Sequence, residues 1–285
     1  MRAAVAATRQ LCATAARNPP QLRVGTAATL RNMRVGVFGA AGRMGAEVCL
    51  AVQGDAQLEL VAAVDPFHAG ESVLGLTVAT DSDAIAAADA EVAVDFTHAQ
   101  ASRDNLLWCA AHGVHAVVGT TGFSDADMND FRAAFTSSNC IIAPNFAIGA
   151  VLMMRFAEMA APFFDTAEVI EFHHDGKIDA PSGTAVATVQ RMAAAHAQWA
   201  PDPTQKELYP GSRGGRGPAD IRVHAVRMRG MVAHQEVILG TTGQTLIIRH
   251  DTTDRTSFMP GVILAVKRVA SVPGLTLGLD ALLDL

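Results

Sequence analysis

An apolar run, Arg34-Val-Gly-Val-Phe38, ends at a glycine, and the stretch from Met44 to Val52 that follows carries its apolar residues at helical spacing. Between them lies Gly39-Ala-Ala-Gly-Arg-Met-Gly45. A strand, a Gly-x-x-Gly-x-x-Gly turn and a helix in this order open a doubly wound α/β unit. Glycine lets the backbone adopt positive φ and approach a ligand closely, so N–H groups of the turn and of the helix N-terminus can surround a pyrophosphate. Leu58 to Val64 reads as the second strand and ends at Asp65, about twenty residues past Gly45, where a carboxylate accepts hydrogen bonds from ribose hydroxyls. The candidate dinucleotide site is therefore Gly39, Ala40, Ala41, Gly42, Arg43, Met44, Gly45 and Asp65. Asp65 disfavours a 2′-phosphate, whereas Arg43 can compensate its charge, so the choice between NADH and NADPH stays open.

The same rhythm continues. Glu91 to Phe96, Val114 to Val118 and Cys140 to Ala143 read as buried strands, with helical stretches at about Ala99 to His112 and Asp125 to Phe135 between them. Strands alternating with helices predict a parallel, Rossmann-type sheet. Gly119-Thr120-Thr121-Gly122 and Ala143-Pro144-Asn145-Phe146 follow strands directly, at the carboxyl edge where open α/β sheets bind ligands, and join the candidate cofactor site.

After Asn145 the pattern changes. A long helix, about Ile148 to Phe164, leads to a strand, Ala167 to His173, and a second helix begins after Pro181-Ser182. Residues 200–220, rich in Pro and Gly, read as a long loop. Ile221 to Val226, Ala233 to Leu239 and Gln244 to Arg249 alternate or are β-rich, predicting a mixed, largely antiparallel sheet. A helix at about Phe258 to Ala270 closes the chain. The expected organisation is a dinucleotide-binding domain over 33–147 and 254–285 and an α+β substrate-binding and oligomerisation domain over 148–253.

Residues 1–32 stand apart, with Arg2, Arg9, Arg17, Arg23 and Arg31 and no acidic residue. They read either as an organelle-targeting leader or as translation upstream of a start at Met33, the second being preferred, and are set outside the fold. Without those five charges the net charge of −6 becomes −11. A chain so acidic lacks the basic face of a general nucleic-acid binder, and no apolar run reaches the length of a membrane span. The four cysteines, Cys12, Cys49, Cys109 and Cys140, share no metal-type spacing, and no metal site is expected. Cys49, Cys109 and Cys140 lie in apolar patterns and read as inert core residues, and nothing asks for an oxidising compartment.

The densest chemistry is in Glu171-Phe-His-His-Asp-Gly-Lys-Ile-Asp-Ala-Pro-Ser-Gly-Thr184. Two imidazoles, an ammonium and a helix start exceed what a core strand or an ordinary loop carries. Ser182, Gly183 and Thr184 open a helix whose free N–H groups can hold a carboxylate. A hydride acceptor gains negative charge and needs a nearby proton donor, for which His173, His174 and Lys177 are candidates. Asp179 reads as a helix-capping or loop-bracing residue, and His115, His224, His234 and His250 as structural or surface residues.

These motifs, with Asp95-Phe-Thr97, occur in the order seen in 4-hydroxy-tetrahydrodipicolinate reductase, the dihydrodipicolinate reductase of lysine and diaminopimelate biosynthesis, and the chain resembles that family from Met33 to Leu285. Asp65-Pro66 and Ile221 to Gly230 look most like actinobacterial members, which weighs against organelle targeting. The resemblance implies an NADH- or NADPH-dependent oxidoreductase of the cytoplasm and a cyclic dicarboxylate substrate. It further implies His173 as general acid/base, Lys177 as proton donor, His174 in substrate binding, and a homotetramer built by the substrate-domain sheets. Two rivals remain: another two-domain NAD(P)-dependent dehydrogenase, and a nucleotide-sensing protein without catalysis. A semialdehyde-type enzyme needs an activated cysteine, and none of the four has an activating neighbour in the sequence. A sensor has no use for both histidines and Lys177.

Overall fold

The computed structural model describes residues 31–283. The leader expected over residues 1–32 lies, but for its last two residues, outside the described span, as does Cys12.

The chain opens with β1 (Met33–Phe38), α1 (Arg43–Gly54) and β2 (Leu58–Val64). Helix α1 buries Gly45, Val48, Cys49 and Val52, which fall three, four and seven positions along, one stripe of a 3.6-residue period. A small hairpin, β3 (Ser72–Val73) and β4 (Leu76–Thr77), and a short helix, α2 (Asp83–Ala87), follow. Then come β5 (Val92–Asp95), α3 (Ala99–Ala111), β6 (His115–Val118), α4 (Asp125–Ala134) and β7 (Cys140–Ile142). Every residue of β5 and β7 is buried, as helices on both faces of a parallel sheet require. Cys49, Cys109 and Cys140 are buried in this core. Burial pushes their thiols up, that of Cys49 to about 12, so they remain inert thiols.

Beyond these lie α5 (Ile148–Ala160), β8 (Thr166–His173), α6 (Gly183–Ala195), β9 (Gly215–Arg216), β10 (Arg222–Arg227), β11 (Ala233–Thr241) and β12 (Gln244–Thr252). The chain ends with α7 (Met259–Arg268) and β13 (Leu275–Leu277).

The first sheet runs β13-β7-β6-β5-β1-β2, with all neighbours parallel. Strand order reverses between β1 and β5, so the loops after these two strands part at the carboxyl edge and leave a crevice there. Helix α7 packs on α1, with the Lys267 ammonium 2.6 Å from Asp55, and β13 adds a sixth strand beside β7. Strand β13 escapes the sequence pattern because Thr276 interrupts its three residues, whereas the equally short β7 is an unbroken apolar run.

The second sheet runs β12-β11-β8-β10-β9. It is antiparallel except where β10 lies parallel to β8, and that pair needs a long crossover. Helix α6 and the segment 200–220 supply it, and the segment read as loop contains β9. One face of the sheet packs on α5 and α6. On the opposite face Ile170, Phe172, Ile238 and Ile247 share a side by strand alternation.

Candidate active site

Alternation along β8 sends Val169, Glu171 and His173 toward the helix-covered side. Glu171 has no exposed surface, and its carboxylate organises the site. Oε1 accepts from the Ser182 N–H at 3.0 Å and from Arg227 Nη2 at 2.8 Å. Oε2 accepts from Arg227 Nη1 at 2.8 Å and lies 2.5 Å from His173 Nδ1. Arg227 ends β10, directly opposite His173 in the parallel register, and it also donates to the Asp179 carbonyl at 2.7 Å. The polar loop is thus tied at both ends to one ion pair.

Within that loop the Lys177 ammonium lies 2.8 Å from each oxygen of Asp179, holding that carboxyl below its usual range. Asp179 is a loop brace. The helix cap is Ser182, whose Oγ accepts from the Ala185 N–H at 3.2 Å. Its cap leaves the N–H groups of Gly183 and Thr184 unused, and a Cβ placed on Gly183 would meet nothing within 4 Å, so the helix start is open to a ligand.

Burial pushes the Glu171 carboxyl up, but the hydrogen bonds from Arg227 and His173 outweigh it and hold the group below its ordinary value. Burial lowers the His173 imidazole against the pull of Glu171. The site therefore pairs an ionised carboxylate with a neutral ring near neutral pH. An ionised carboxylate can only accept, so Nδ1 carries the imidazole hydrogen and Nε2 keeps its lone pair for a ligand.

A cavity of about 190 Å³ joins the two lobes of the molecule. Pro144 and Asn145 line it from the carboxyl edge of the first sheet, and His173, Ser182, Thr184 and Gln235 line it from the second. Asn145 Nδ2 donates to Thr184 Oγ1 at 3.1 Å across the join. A more open hollow shares His173, Ala233, Thr252 and Phe258 with this cavity and adds His174 and Lys177.

The dinucleotide side is a separate cleft of about 330 Å³ lined by Gly39, Gly42, Asp65, Thr97 and His98. Gly39 has φ +67°, and a Cβ on Gly45 would stand 2.0 Å from the Gly39 carbonyl oxygen, so α1 starts as close to β1 as backbones allow. The helix start has no side-chain cap and no acidic residue in its first turn, which leaves it free for a phosphate. Asp65 is buried, accepts from the Phe67 N–H at 3.1 Å and lies 3.2 Å from His68 Nδ1.

Asp95, quoted in the sequence only as part of a motif, braces this edge. It accepts from the Thr97 N–H and Oγ1 at 2.8 and 2.7 Å, from Thr120 Oγ1 at 3.2 Å and from Asn105 Nδ2 at 2.8 Å. The Thr120 hydroxyl is therefore turned inward, while Thr121 is exposed. Ala40, Ala143 and Phe146 are buried side chains that can offer a ligand only their backbone, and Arg43 and Pro144 are exposed.

Several lining residues lie outside the candidates read from sequence. His234 and His250, read as structural or surface residues, line the cavity, with His234 Nδ1 2.7 Å from Asp251 and burial lowering His250. Gln235 does so as well, and Arg227 anchors the whole arrangement. Only Glu171 carried a usable signal, an acidic residue two places before a histidine on a strand. The others are brought in by strand register.

Two family models match the chain: dihydrodipicolinate reductase, N-terminus, over residues 33–146, and dihydrodipicolinate reductase, C-terminus, over residues 149–283. The 4-hydroxy-tetrahydrodipicolinate reductase of Thermobifida fusca is 52% identical over 261 residues, covering 89% of this chain and 100% of that protein. The protein of the same description from Nocardia farcinica is 50% identical over 260 residues, covering 89% and 99%. Among solved structures, the dipicolinate-bound dihydrodipicolinate reductase of Paenisporosarcina sp. TG-14 superposes with a TM-score of 0.80 at 35% identity, over 88% of this chain and 99% of that one.

Proposed function

The chain belongs to the dihydrodipicolinate reductase family, and we infer from that membership and from the cavity between its lobes that it reduces 4-hydroxy-tetrahydrodipicolinate to tetrahydrodipicolinate. In this step of lysine and diaminopimelate biosynthesis the ring hydroxyl leaves as water, so that substrate, NADH or NADPH and one proton give tetrahydrodipicolinate, water and the oxidised cofactor. The observation that carries the reading is the cavity that Asn145 and His173 line together, because it joins the cofactor edge of one sheet to the proton-transfer groups of the other.

The residues that would hold the dinucleotide are Gly39 to Gly45, Asp65, Gly119 to Thr121 and Ala143 to Phe146. The uncapped α1 start, with no acidic residue in its first turn, fits its phosphates. When bound, the reduced nicotinamide supplies the hydride.

The protein's own groups do the rest. Ser182, Gly183 and Thr184 hold a substrate carboxylate at the start of α6, and His174, which lines the neighbouring hollow, helps to bind the substrate. Lys177 donates the proton, drawing its ammonium from Asp179 toward the more negative dicarboxylate. His173 moves a proton at Nε2, its ring fixed by Glu171 and its charged form favoured by that carboxylate when it arises. The division of labour follows domains 33–147 with 254–285 and 148–253. In favour of that division, α7 and β13 rejoin the first sheet although they come last in the chain.

A second partner is another copy of the chain: a homotetramer in the cytoplasm, joined through the sheet faces that carry Ile170, Phe172, Ile238 and Ile247. Ile247 is 54% exposed in the single chain, which leaves apolar surface for such a contact.

The test is oxidation of NADH and NADPH by purified protein given freshly generated 4-hydroxy-tetrahydrodipicolinate. Turnover of at least one cofactor is expected. Tight dinucleotide binding with no consumption would point to a sensor instead.

A further inference from the structure

Gln235 lies on β11 directly opposite Glu171 of β8, with His250 of β12 on its other side. Its side chain is 4% exposed. Nε2 donates to Thr188 Oγ1 at 2.7 Å, and Thr188 Oγ1 spends its own hydrogen on the Thr184 carbonyl, also at 2.7 Å. A hydroxyl has one hydrogen, so it must accept from Gln235, and the orientation of the amide is set. Oε1 is left as a buried acceptor without a hydrogen-bond partner among the described residues. The residue lines the cavity that also holds His173, Ser182 and Thr184.

A buried acceptor left unsatisfied costs free energy, and the cost is recovered when a ligand brings a donor to it. On the reading of function given above, the ligand is a ring with two carboxylates, a C=N nitrogen and a hydroxyl. Carboxylates and an imine nitrogen accept hydrogen bonds, and the hydroxyl donates. We propose that Gln235 Oε1 accepts the hydrogen bond of the substrate's ring hydroxyl, which makes Gln235 a specificity-determining residue of the cavity. The contact favours the hydroxylated substrate over tetrahydrodipicolinate, whose ring lacks that donor, so the same residue that helps substrate in gives the product no hold.

This inference rests on the reductase reading, and the experiment separates the two. Dipicolinate is the probe, a flat dicarboxylate of similar size with no hydroxyl. For wild type, Gln235→Met and Gln235→Glu, three constants are measured: KM for freshly generated substrate, KM for NADH, and the inhibition constant of dipicolinate. In Gln235→Met the substrate KM is expected to rise about tenfold, the loss of one neutral hydrogen bond, while the other two change less than about twofold. Retained inhibition by dipicolinate shows that the variant's site is folded. Should Gln235→Met fail to fold, Gln235→Glu carries the test: it keeps an acceptor oxygen, and its charge repels both dicarboxylates alike, so the ratio of the two constants is expected to stay within about threefold of wild type. A substrate KM and dipicolinate constant that worsen together in Gln235→Met would make the residue merely structural. No change in either, a rise in the NADH KM alone, or a Gln235→Glu ratio shifted toward dipicolinate would also overturn the proposal. Absence of turnover in the wild type would sink the reductase reading instead.

Discussion

Arg227 grips Glu171 by both carboxylate oxygens, at 2.8 Å each, across 56 positions of sequence. The carboxylate has no exposed surface, so this planar, two-pronged pairing supplies the counter-charge that lets it stay ionised in the interior. The loop bearing Lys177 and the ring of His173 both take their positions from it.

Removing the arginine should therefore cost more than a surface ion pair would. Arg227→Met leaves a buried carboxylate without its cation, and we expect a loss of roughly 3–5 kcal/mol in urea unfolding. A loss under about 1 kcal/mol would mean that solvent reaches Glu171.

The same pair sets a pH dependence. With Arg227 and His173 holding the folded Glu171 below its ordinary value of 4.5, its stabilisation is complete above that pH and is lost as pH falls through the folded value. In Arg227→Met the sign reverses, because burial, the largest influence on the carboxyl, is then opposed only by His173 and the Ser182 N–H, and protonation relieves the strain. The difference in urea midpoint between wild type and variant should shrink as pH falls from about 7 to about 3. A constant difference would remove Glu171 as its source.

Glu171→Gln tests the ring orientation. A carboxamide can turn its NH₂ toward Nδ1 and stabilise the tautomer with hydrogen on Nε2, so kcat is expected to drop on the order of 10²–10⁴-fold with little change in substrate KM. Equal loss in kcat and in dipicolinate binding would indicate collapse of the pocket instead.

Lys177→Ala should lower kcat about 100-fold or more while NADH affinity stays within about twofold. Asp179, its partner, is 61% exposed, so thermal stability should hardly move. Parallel losses in turnover and cofactor affinity would contradict the assignment of Lys177 as the proton donor.

At the other lobe, Gly45→Ala places a methyl 2.0 Å from the Gly39 carbonyl oxygen, where only backbone movement can relieve it. A destabilisation of about 1–3 kcal/mol is expected together with weaker NADH binding, read by calorimetry. Unchanged cofactor affinity would show that the turn tolerates the shift.

Much of this architecture is legible in the amino-acid sequence. Periodicity disclosed β1, α1, β2, β5, β6, β7 and β8, because buried parallel strands are short unbroken apolar runs and their helices show one apolar stripe. What escaped were elements too short to show a period, β3, β4, α2, β9 and β13, and the parallel pairing of β10 with β8. That pairing is a relation between segments 54 positions apart, and no local pattern encodes it.

The candidate site divides along the same line. The run from Glu171 to Thr184 and the glycine turn are local, so residue type and spacing alone pointed to a helix start suited to an anion, a cluster of groups able to move protons and a turn suited to a dinucleotide. Only the tertiary structure decided that Arg227 anchors Glu171, that Gln235 and His250 line the cavity, and that Asn145 reaches Thr184. Hydrogen bonds act over about 3 Å, and strand register, which is set by packing of whole sheet faces, decides which distant residues come within that reach.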